Sequence, residues 1–192
     1  MRIFIFLFLS NFASAQSLES WIGLPYYLNL KNHFNYQAGG MFKINSESNQ
    51  FGLGLEYATK NVDASFSSRD QFFSLPQINL ICEYERLFKS NEKNHFGLST
   101  GAAVSFGTNQ YFINQVDGVD VKYNLKGRSG AIARLGFTYY RNISAQFSLF
   151  SRAYVQYKIL QDMEESFYKM DENPRDHISA GLNVGVRYTL NK

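Results

Sequence analysis

The sequence predicts an all-β protein, namely an eight-stranded antiparallel up-and-down transmembrane β-barrel. Three observations lead to this prediction. Apolar and polar residues alternate along most of the chain, which is the pattern of a β-strand with two different faces. The apolar faces are continuous over about 10 residues, the length that a tilted strand needs to cross a bilayer. The opposite faces are rich in Gly, Ala and Ser, which leave room for a few long side chains inside a narrow barrel.

The first 15 residues are interpreted as a cleaved secretory signal and are set apart from the fold. Arg2 provides a positive start, residues 3–9 form a short apolar run, and the ASA sequence at 13–15 has the small residues of a cleavage site. A membrane-spanning helix would need about 20 apolar residues. We therefore predict a signal over residues 1–15 and an outer-membrane β-barrel domain over residues 16–192, and we disfavour a short N-terminal anchor.

The first four strands follow from alternating apolar positions. The segments and representative outward residues are Leu18–Leu30 (Ile22, Leu24, Tyr26), His33–Asn45 (Tyr36, Ala38, Phe42), Gln50–Lys60 (Phe51, Leu53, Leu55) and Phe72–Phe88 (Ile78, Leu80, Cys82). The polar residues that separate these segments are typical of turns.

The last four strands follow from the same pattern. They are the segment from His95 onward (Phe96, Leu98, Val104), the segment that ends near Arg141 (Leu135, Phe137, Tyr139), Ser144–Ile159 (Leu149, Val155, Tyr157) and His177–Leu190 (Leu182, Val184, Val186). Aromatic residues gather near the strand ends, as in the girdles that membrane barrels place at the two interfaces. Alternation alone does not decide which face is outside, so a soluble exported β-barrel or sandwich is the alternative fold.

Charged residues separate cleanly between the two faces. The apolar faces carry only Arg86 and Arg141, each near a strand end or turn, whereas Lys158 and seven other charged residues fall on the opposite faces. Because an eight-stranded barrel is just wide enough for side chains to fill its interior, those seven predict a lumen charge network that plugs the barrel. Its members are Lys43, Glu56, Glu83, Glu85, Arg134, Arg152 and Arg187.

The long inward side chains are predicted to lie at two heights. Glu56, Arg134 and Arg152 are expected near mid-height, with Glu56 paired to Arg134 or Arg152, and the other four toward the periplasmic end. Inward glycines and alanines are expected to make the room that these side chains need; they are Gly97, Gly101, Ala103, Gly181 and Gly185.

Short and long connections are predicted to alternate, as periplasmic turns and extracellular loops do in small barrels. The short ones span 46–49, 89–94 and 141–143; the longer ones span 61–71, 107–129 and 160–176. Asp117-Gly118 predicts a hairpin inside the longest loop, so the flanking barrel strands are expected to continue beyond the membrane. The loop at 160–176 is acidic, and it could attract a divalent cation or a basic partner, or be a solvated loop. Its acidic residues are Asp162, Glu164, Glu165, Asp171, Glu172 and Asp176.

The chemistry-bearing residues do not form a recognisable catalytic motif. No phosphate-binding glycine loop, HExxH, paired-cysteine or nucleophile-elbow pattern occurs. His33, His95 and His177 are expected to be polar rim or turn residues, and Cys82 an apolar packing residue. We expect no cofactor, no metal site and no enzymatic activity. A formal charge of +3 is too small to argue for nucleic acid.

Three stretches carry a resemblance to a known family. They are Gln50–Lys60 (QFGLGLEYATK), Phe73–Phe88 (FSLPQINLICEYERLF) and the closing GLNVGVRYTL at 181–190. With the signal, they resemble the small outer-membrane β-barrel domain family, the OmpA-like and PorT-like barrels often called the porin family. The chain departs from that pattern at its end, YTLNK, where many such barrels carry a terminal aromatic residue.

The resemblance implies an integral protein in the outer membrane of a two-membrane bacterium. Its implied partners are outer-membrane lipids, the barrel-assembly machinery and a surface or envelope partner of unknown identity. It does not imply a substrate, because family members serve as anchors, small channels, adhesins and secretion accessories. We expect a structural or surface-interaction role. The alternatives are a small passive channel and a lipid-modifying barrel enzyme.

Overall fold

The computed structural model describes residues 16–27, 35–46, 48–66, 69–89, 91, 93–107, 110–116, 119–125, 129–161 and 178–190. For residues 27, 60–66, 69–75, 89, 110–116, 119–125 and 159–161 the description covers the backbone. The predicted signal, His33, His177 and the acidic residues at 162–176 lie outside the described residues. No helix in the described part of the chain is long and apolar enough to cross a membrane.

The described chain contains ten β-strands, and eight of them close into a barrel in the order β1-β10-β9-β8-β5-β4-β3-β2, every neighbouring pair being antiparallel. The predicted eight-stranded antiparallel up-and-down barrel is therefore confirmed. The strands are β1 (Gln16–Tyr27), β2 (Gln37–Ser46), β3 (Asn49–Phe66), β4 (Arg69–Lys89), β5 (Asn94–Gly107), β6 (Gln110–Val116), β7 (Val119–Leu125), β8 (Gly130–Asn142), β9 (Phe147–Gln161) and β10 (Ile178–Thr189).

The connection predicted over residues 61–71 is wrong, because most of it belongs to a β-hairpin. The β3–β4 ladder continues to the pair Phe66↔Arg69. Among the described residues the neighbouring strands pair less far, since β2 pairs with β3 to Ala58 and β5 pairs with β4 to Gln77. This hairpin therefore extends beyond the barrel wall. Its polar residues suggested a loop, but ladder hydrogen bonds join backbone groups and do not require apolar side chains.

The hairpin predicted around Asp117-Gly118 is present as β6 and β7, which pair from Gln110↔Leu125 to Val116↔Val119. It forms a two-stranded sheet of its own. The flanking barrel strands β5 and β8 pair only as far as Ser105↔Gly130. The two ladders share one register, because Gln110↔Leu125 lies five residues beyond Ser105↔Gly130 on both strands. The expectation that those two strands continue together beyond the membrane therefore stays a prediction.

The stagger of the strands follows from their pairing register. A path from Ser17 through the paired residue on each next strand goes once around the barrel and returns to β1 at Tyr27. The offset between Ser17 and Tyr27, ten residues, is the shear of the barrel. The residues on this path are Lys43, Gly52, Glu83, Gly101, Arg134, Gln156 and Ser179. Such a shear tilts strands by about 35–45° from the barrel axis. Residues at unequal distances along their strands therefore share one height in the interior.

The barrel presents an apolar outside and a mainly polar inside, which also buries an apolar cluster that includes Trp21, Ile81 and Phe150. On β10, Leu182 and Val184 face outward with 53% and 48% of their surface exposed, while Asn183 between them is fully buried. The same alternation continues in the other barrel strands, where large outward side chains such as Ile22 and Leu135 are exposed. The predicted assignment of the two faces is therefore confirmed.

Aromatic side chains border the outward aliphatic surface at both ends of the barrel. The short connections β2–β3, β4–β5 and β8–β9 lie at one end, which we call the turn end. There the rings form close pairs: Phe51–Tyr84 at 5.1 Å, Phe96–Tyr139 at 5.4 Å and Phe147–Tyr188 at 4.9 Å. Near the other end, the loop end, Tyr36 and Tyr57 pair at 6.1 Å. This distribution matches the interfacial girdles of membrane barrels.

Candidate functional site: the charged interior of the barrel

Eight charged side chains are buried in the described interior, four carboxylates and four cations. Seven of them are the residues predicted from sequence. The eighth is Glu19 on β1, which equalises the two signs. Their contacts divide them into a pair, a cluster and one separate arginine. The eight residues are Glu19, Lys43, Glu56, Glu83, Glu85, Arg134, Arg152 and Arg187.

Glu56 on β3 and Arg134 on β8 form a two-pronged ion pair, which we call the upper pair. Arg134 Nη1 donates to Glu56 Oε2 at 3.1 Å, and Nη2 donates to Oε1 at 2.7 Å. Glu56 also accepts from Asn79 Nδ2 at 3.0 Å and from Trp21 Nε1 at 3.3 Å. Arg134 donates from Nε and Nη2 to Gln156 Oε1 at 3.2 and 2.8 Å. Both charged groups are thus well satisfied, as a buried ion pair requires.

Neutral side chains extend the upper pair across the rest of the interior. Arg134 lies 4.8 Å from the centre of the Tyr154 ring, a cation–π contact. The Tyr154 hydroxyl donates to Gln37 Oε1 at 2.8 Å, and Gln37 Nε2 donates to Asn183 Oδ1. Gly181 makes this possible, because a Cβ at that position would collide with the Tyr154 ring. Contacts at this level therefore run from β3 through β8 and β9 to β2 and β10.

Lys43 on β2 is the centre of a second group, which we call the basal cluster: Glu19, Lys43, Glu83, Glu85 and Arg152. Lys43 Nζ lies 3.2 Å from Glu19 Oε2, 3.0 Å from Glu83 Oε1 and 2.5 Å from Glu85 Oε2. Arg152 Nη2 lies 3.0 Å from Glu19 Oε2 and 3.4 Å from Glu83 Oε1. Three carboxylates therefore share two cations, in contrast to the one-to-one upper pair.

Tyr140 on β8 bridges two carboxylates of the basal cluster. Its hydroxyl lies 2.9 Å from Glu19 Oε1 and 2.7 Å from Glu85 Oε2. Arg152 is fixed from the other side, because its Nε donates to Thr138 Oγ1 at 2.9 Å and its guanidinium lies 5.3 Å from the centre of the Phe150 ring. The cluster is thus tied to strands β1, β2, β4, β8 and β9 at one level.

Arg187 on β10 occupies the interior beside the basal cluster. Its Nη1 donates to Gln50 Oε1 at 3.3 Å, and its guanidinium lies 5.3 Å from the centre of the Tyr140 ring. Its Nε has no hydrogen-bond partner among the described groups. The structure therefore brings six of the seven predicted residues into ion pairs and holds the seventh by a neutral amide and an aromatic ring.

Missing side chains in the wall make room for the basal cluster. A Cβ at Gly97 on β5 would overlap the Glu85 carboxylate. A Cβ at Gly185 on β10 would lie 2.6 Å from the Phe150 ring. The inward glycines predicted on these two strands thus leave space inside the barrel, and long neighbouring side chains fill it.

Two details of the interior differ from the sequence prediction. Arg152 was expected at the level of Glu56, and this is wrong, because Arg152 contacts Glu19 and Glu83 in the basal cluster. Of the two partners considered for Glu56, Arg134 is the one in contact. Glu19 was missed altogether, although its position opposite the apolar face of β1 was a usable signal.

Metal-ligating groups are not assembled in the described part of the chain, where no group of three His, Cys, Asp or Glu side chains could hold an ion. His95 lies in the β5 strand near the turn end, with its Nε2 2.9 Å from Asn142 Nδ2. Cys82 is exposed on the outer face.

Solved structures of outer-membrane proteins share this fold, and two of them superpose well. A major outer membrane protein from Thermus thermophilus superposes with a TM-score of 0.61 at 12% identity, over 92% of this chain and 100% of that one. Neisserial surface protein A superposes with a TM-score of 0.59 at 8% identity, over 91% of this chain and 95% of that one. No protein-family model matches the sequence, and no curated protein matches it. The resemblance to small outer-membrane barrels is therefore confirmed at the level of the fold.

Proposed function

We propose that this protein is an integral outer-membrane β-barrel with a structural or surface-interaction role and an interior closed by charged side chains. The observation that carries the proposal is the inverted distribution of polarity. A soluble barrel keeps its apolar residues inside, whereas this one buries four carboxylates and four cations and exposes most of its described leucines, isoleucines and valines, with Ile81 and Ile132 as buried exceptions. A barrel with so many exposed apolar side chains is stable when its outer wall contacts lipid and is destabilised when that wall contacts water.

Closure of the interior is supported by the upper pair and the basal cluster together. Each joins side chains across the interior from strands that are three apart in the ring of eight: Arg134 of β8 reaches Glu56 of β3, and Arg152 of β9 reaches Glu83 of β4. In so narrow a barrel, side chains that meet across the axis leave no wide water path between them. A small passive channel would need such a path past both levels, so the contacts argue against that alternative.

A structural or surface-interaction role follows from what the rest of the barrel offers. The β3–β4 hairpin continues past the barrel wall at the loop end, and the β6–β7 hairpin forms a sheet of its own. Hairpins outside the wall supply a surface for contacts with other envelope components. The lipid-modifying alternative has no positive support among the described residues.

A fractionation experiment with one variant tests this proposal. The protein should be recovered with the outer membrane and should require detergent for extraction. Leu182→Arg, which places a cation on the outward face, should lower the free energy of unfolding in lipid vesicles by roughly 2–4 kcal/mol. Leu182→Phe is the matched control and should change it little, because a phenyl ring is also apolar.

Two results would contradict the proposal. The first is recovery of folded protein in the soluble fraction without detergent. The second is a Leu182→Arg variant as stable in vesicles as the wild type. Asn183→Arg, one residue along but inside the barrel, should also destabilise the protein, through crowding in a filled interior.

A further inference from the structure

The outer wall of the barrel carries a groove in addition to its flat aliphatic surface. It crosses strands β1, β10, β9 and β8, is shallow and open to the surroundings, and has a volume of about 690 Å³. Its lining includes the outward-facing Ile22, Leu149, Val184 and Val186. The groove faces the surroundings of the barrel and is separate from the charged interior.

Small side chains on the outward face explain the depression. Ser20 on β1 pairs with Val186, and Ser151 on β9 pairs with Val184, so each serine stands beside a bulkier outward residue. Gly185 lies between those two valines and faces the interior, so only its backbone meets the groove. A strip of low surface therefore runs between ridges of aliphatic side chains.

A cation stands at the turn end of this groove. Arg141, near the end of β8, contributes to the lining and is exposed. Charges are rare on the outward faces of the described strands, where Arg86 is the other arginine. An arginine on a lipid-facing surface costs several kcal/mol at the membrane centre and little near the interface. With the proposed insertion, the turn end and Arg141 lie at the level of the phosphate headgroups, and the guanidinium binds phosphate oxygens in two-pronged fashion.

We propose that this groove binds one glycerophospholipid of the inner leaflet, with its phosphate on Arg141 and an acyl chain along Ser20 and Ser151. The inference rests on the proposed insertion in the outer membrane, with the turn end facing the periplasm. The occupant is argued from complementarity: one positive end and an apolar body match an anionic headgroup and a hydrocarbon chain. A second copy of the barrel would instead set a convex aliphatic wall against Arg141 and leave its charge unpaired.

Native mass spectrometry of the protein extracted from membranes in mild detergent tests the proposal. The wild type should retain one phospholipid mass. Arg141→Gln should reduce the fraction with bound lipid by about tenfold, because a charge-assisted contact is lost. Ser151→Phe should reduce it similarly by filling the groove, while its apolar ring keeps the outer face compatible with lipid.

The controls repeat these changes elsewhere on the outer face. Arg86→Gln removes the other outward arginine, and Ala102→Phe adds a ring on β5, away from the groove; both variants should retain lipid like the wild type. Folding of every variant is checked by the mobility of the unheated barrel on a gel. Equal retention in all variants, a wild type without bound phospholipid, a retained lipopolysaccharide or a dimer mass would each overturn the proposal. Recovery outside the membrane fraction would instead refute the proposed function itself.

Discussion

The upper pair and the basal cluster bury charge in two different ways. In the upper pair each carboxylate oxygen of Glu56 meets one guanidinium nitrogen of Arg134, and the remaining capacity is filled by neutral amides and an indole. In the basal cluster Lys43 meets three carboxylates, and Arg152 meets two of the same three within 3.4 Å. One arrangement is exclusive and the other is shared.

The difference between the exclusive pair and the shared cluster determines which buried charges the barrel needs most for its stability. A buried charge without a partner is expensive, because no water compensates for the lost solvation. In an exclusive pair, removal of either member leaves the charge of the other buried without a partner. In a shared cluster the loss of a peripheral carboxylate is absorbed by its neighbours, whereas the loss of the central cation leaves several carboxylates facing one another.

The largest effect is expected for Lys43→Met, which removes the centre of the basal cluster. Glu19, Glu83 and Glu85 would be left to repel one another around Arg152, so the free energy of unfolding should fall by about 5 kcal/mol, the upper range for a broken buried pair. Urea titration in lipid vesicles measures it. Lys93→Met, at an exposed lysine in the β4–β5 turn, is the matched control and should be nearly neutral. Equal small effects at both lysines would mean that the cluster does not stabilise the barrel.

The next largest effect is expected for Glu56→Ala in the upper pair. It should lower the free energy of unfolding by about 3–4 kcal/mol, because Arg134 stays buried without its carboxylate. Glu56→Ala combined with Arg134→Ala should be less damaging than Glu56→Ala alone, since no uncompensated charge remains. A double-mutant cycle on the same urea titrations checks this. A double variant that is no more stable than the single one would show that the pair is not exclusive.

The smallest effect is expected for Glu83→Gln at the edge of the basal cluster. Lys43 keeps Glu19 and Glu85, and Arg152 keeps Glu19, so the loss should be about 1–2 kcal/mol, comparable to one charge-assisted hydrogen bond. The same titration series gives the comparison with Glu56→Ala. A loss as large as that of Glu56→Ala would abolish the distinction between shared and exclusive burial.

Much of the architecture could be predicted because the information is local. Alternation within a strand assigns each side chain to a face, and this placed Leu182 outside and Asn183 inside. The same rule could have found Glu19, which lies between outward Leu18 and Ser20. The face of β1 that carries Glu19 also carries Trp21 and Pro25, so the sequence does not mark that face clearly as polar.

The height of each inward residue could not be predicted in the same way. Arg152 lies well inside β9 and was therefore expected at mid-height, yet it contacts the basal cluster. Height depends on the shear of ten residues that accumulates around the eight paired strands, and no single strand contains that quantity. The extension of β3 and β4 beyond the barrel wall could not be predicted either. The backbones of this hairpin are paired, but its side chains are polar in the way that is typical of a loop.

Single-channel recording in a planar lipid bilayer tests the central claim, that charged side chains close the interior, most directly. Purified, folded wild-type protein should insert without producing stable, large conductance steps, because Arg134 and Arg152 reach carboxylates across the interior. Insertion is verified independently by protection of the barrel from protease in vesicles. Sustained large openings by the inserted wild-type barrel would contradict the account, since ions would then be passing both levels of charge.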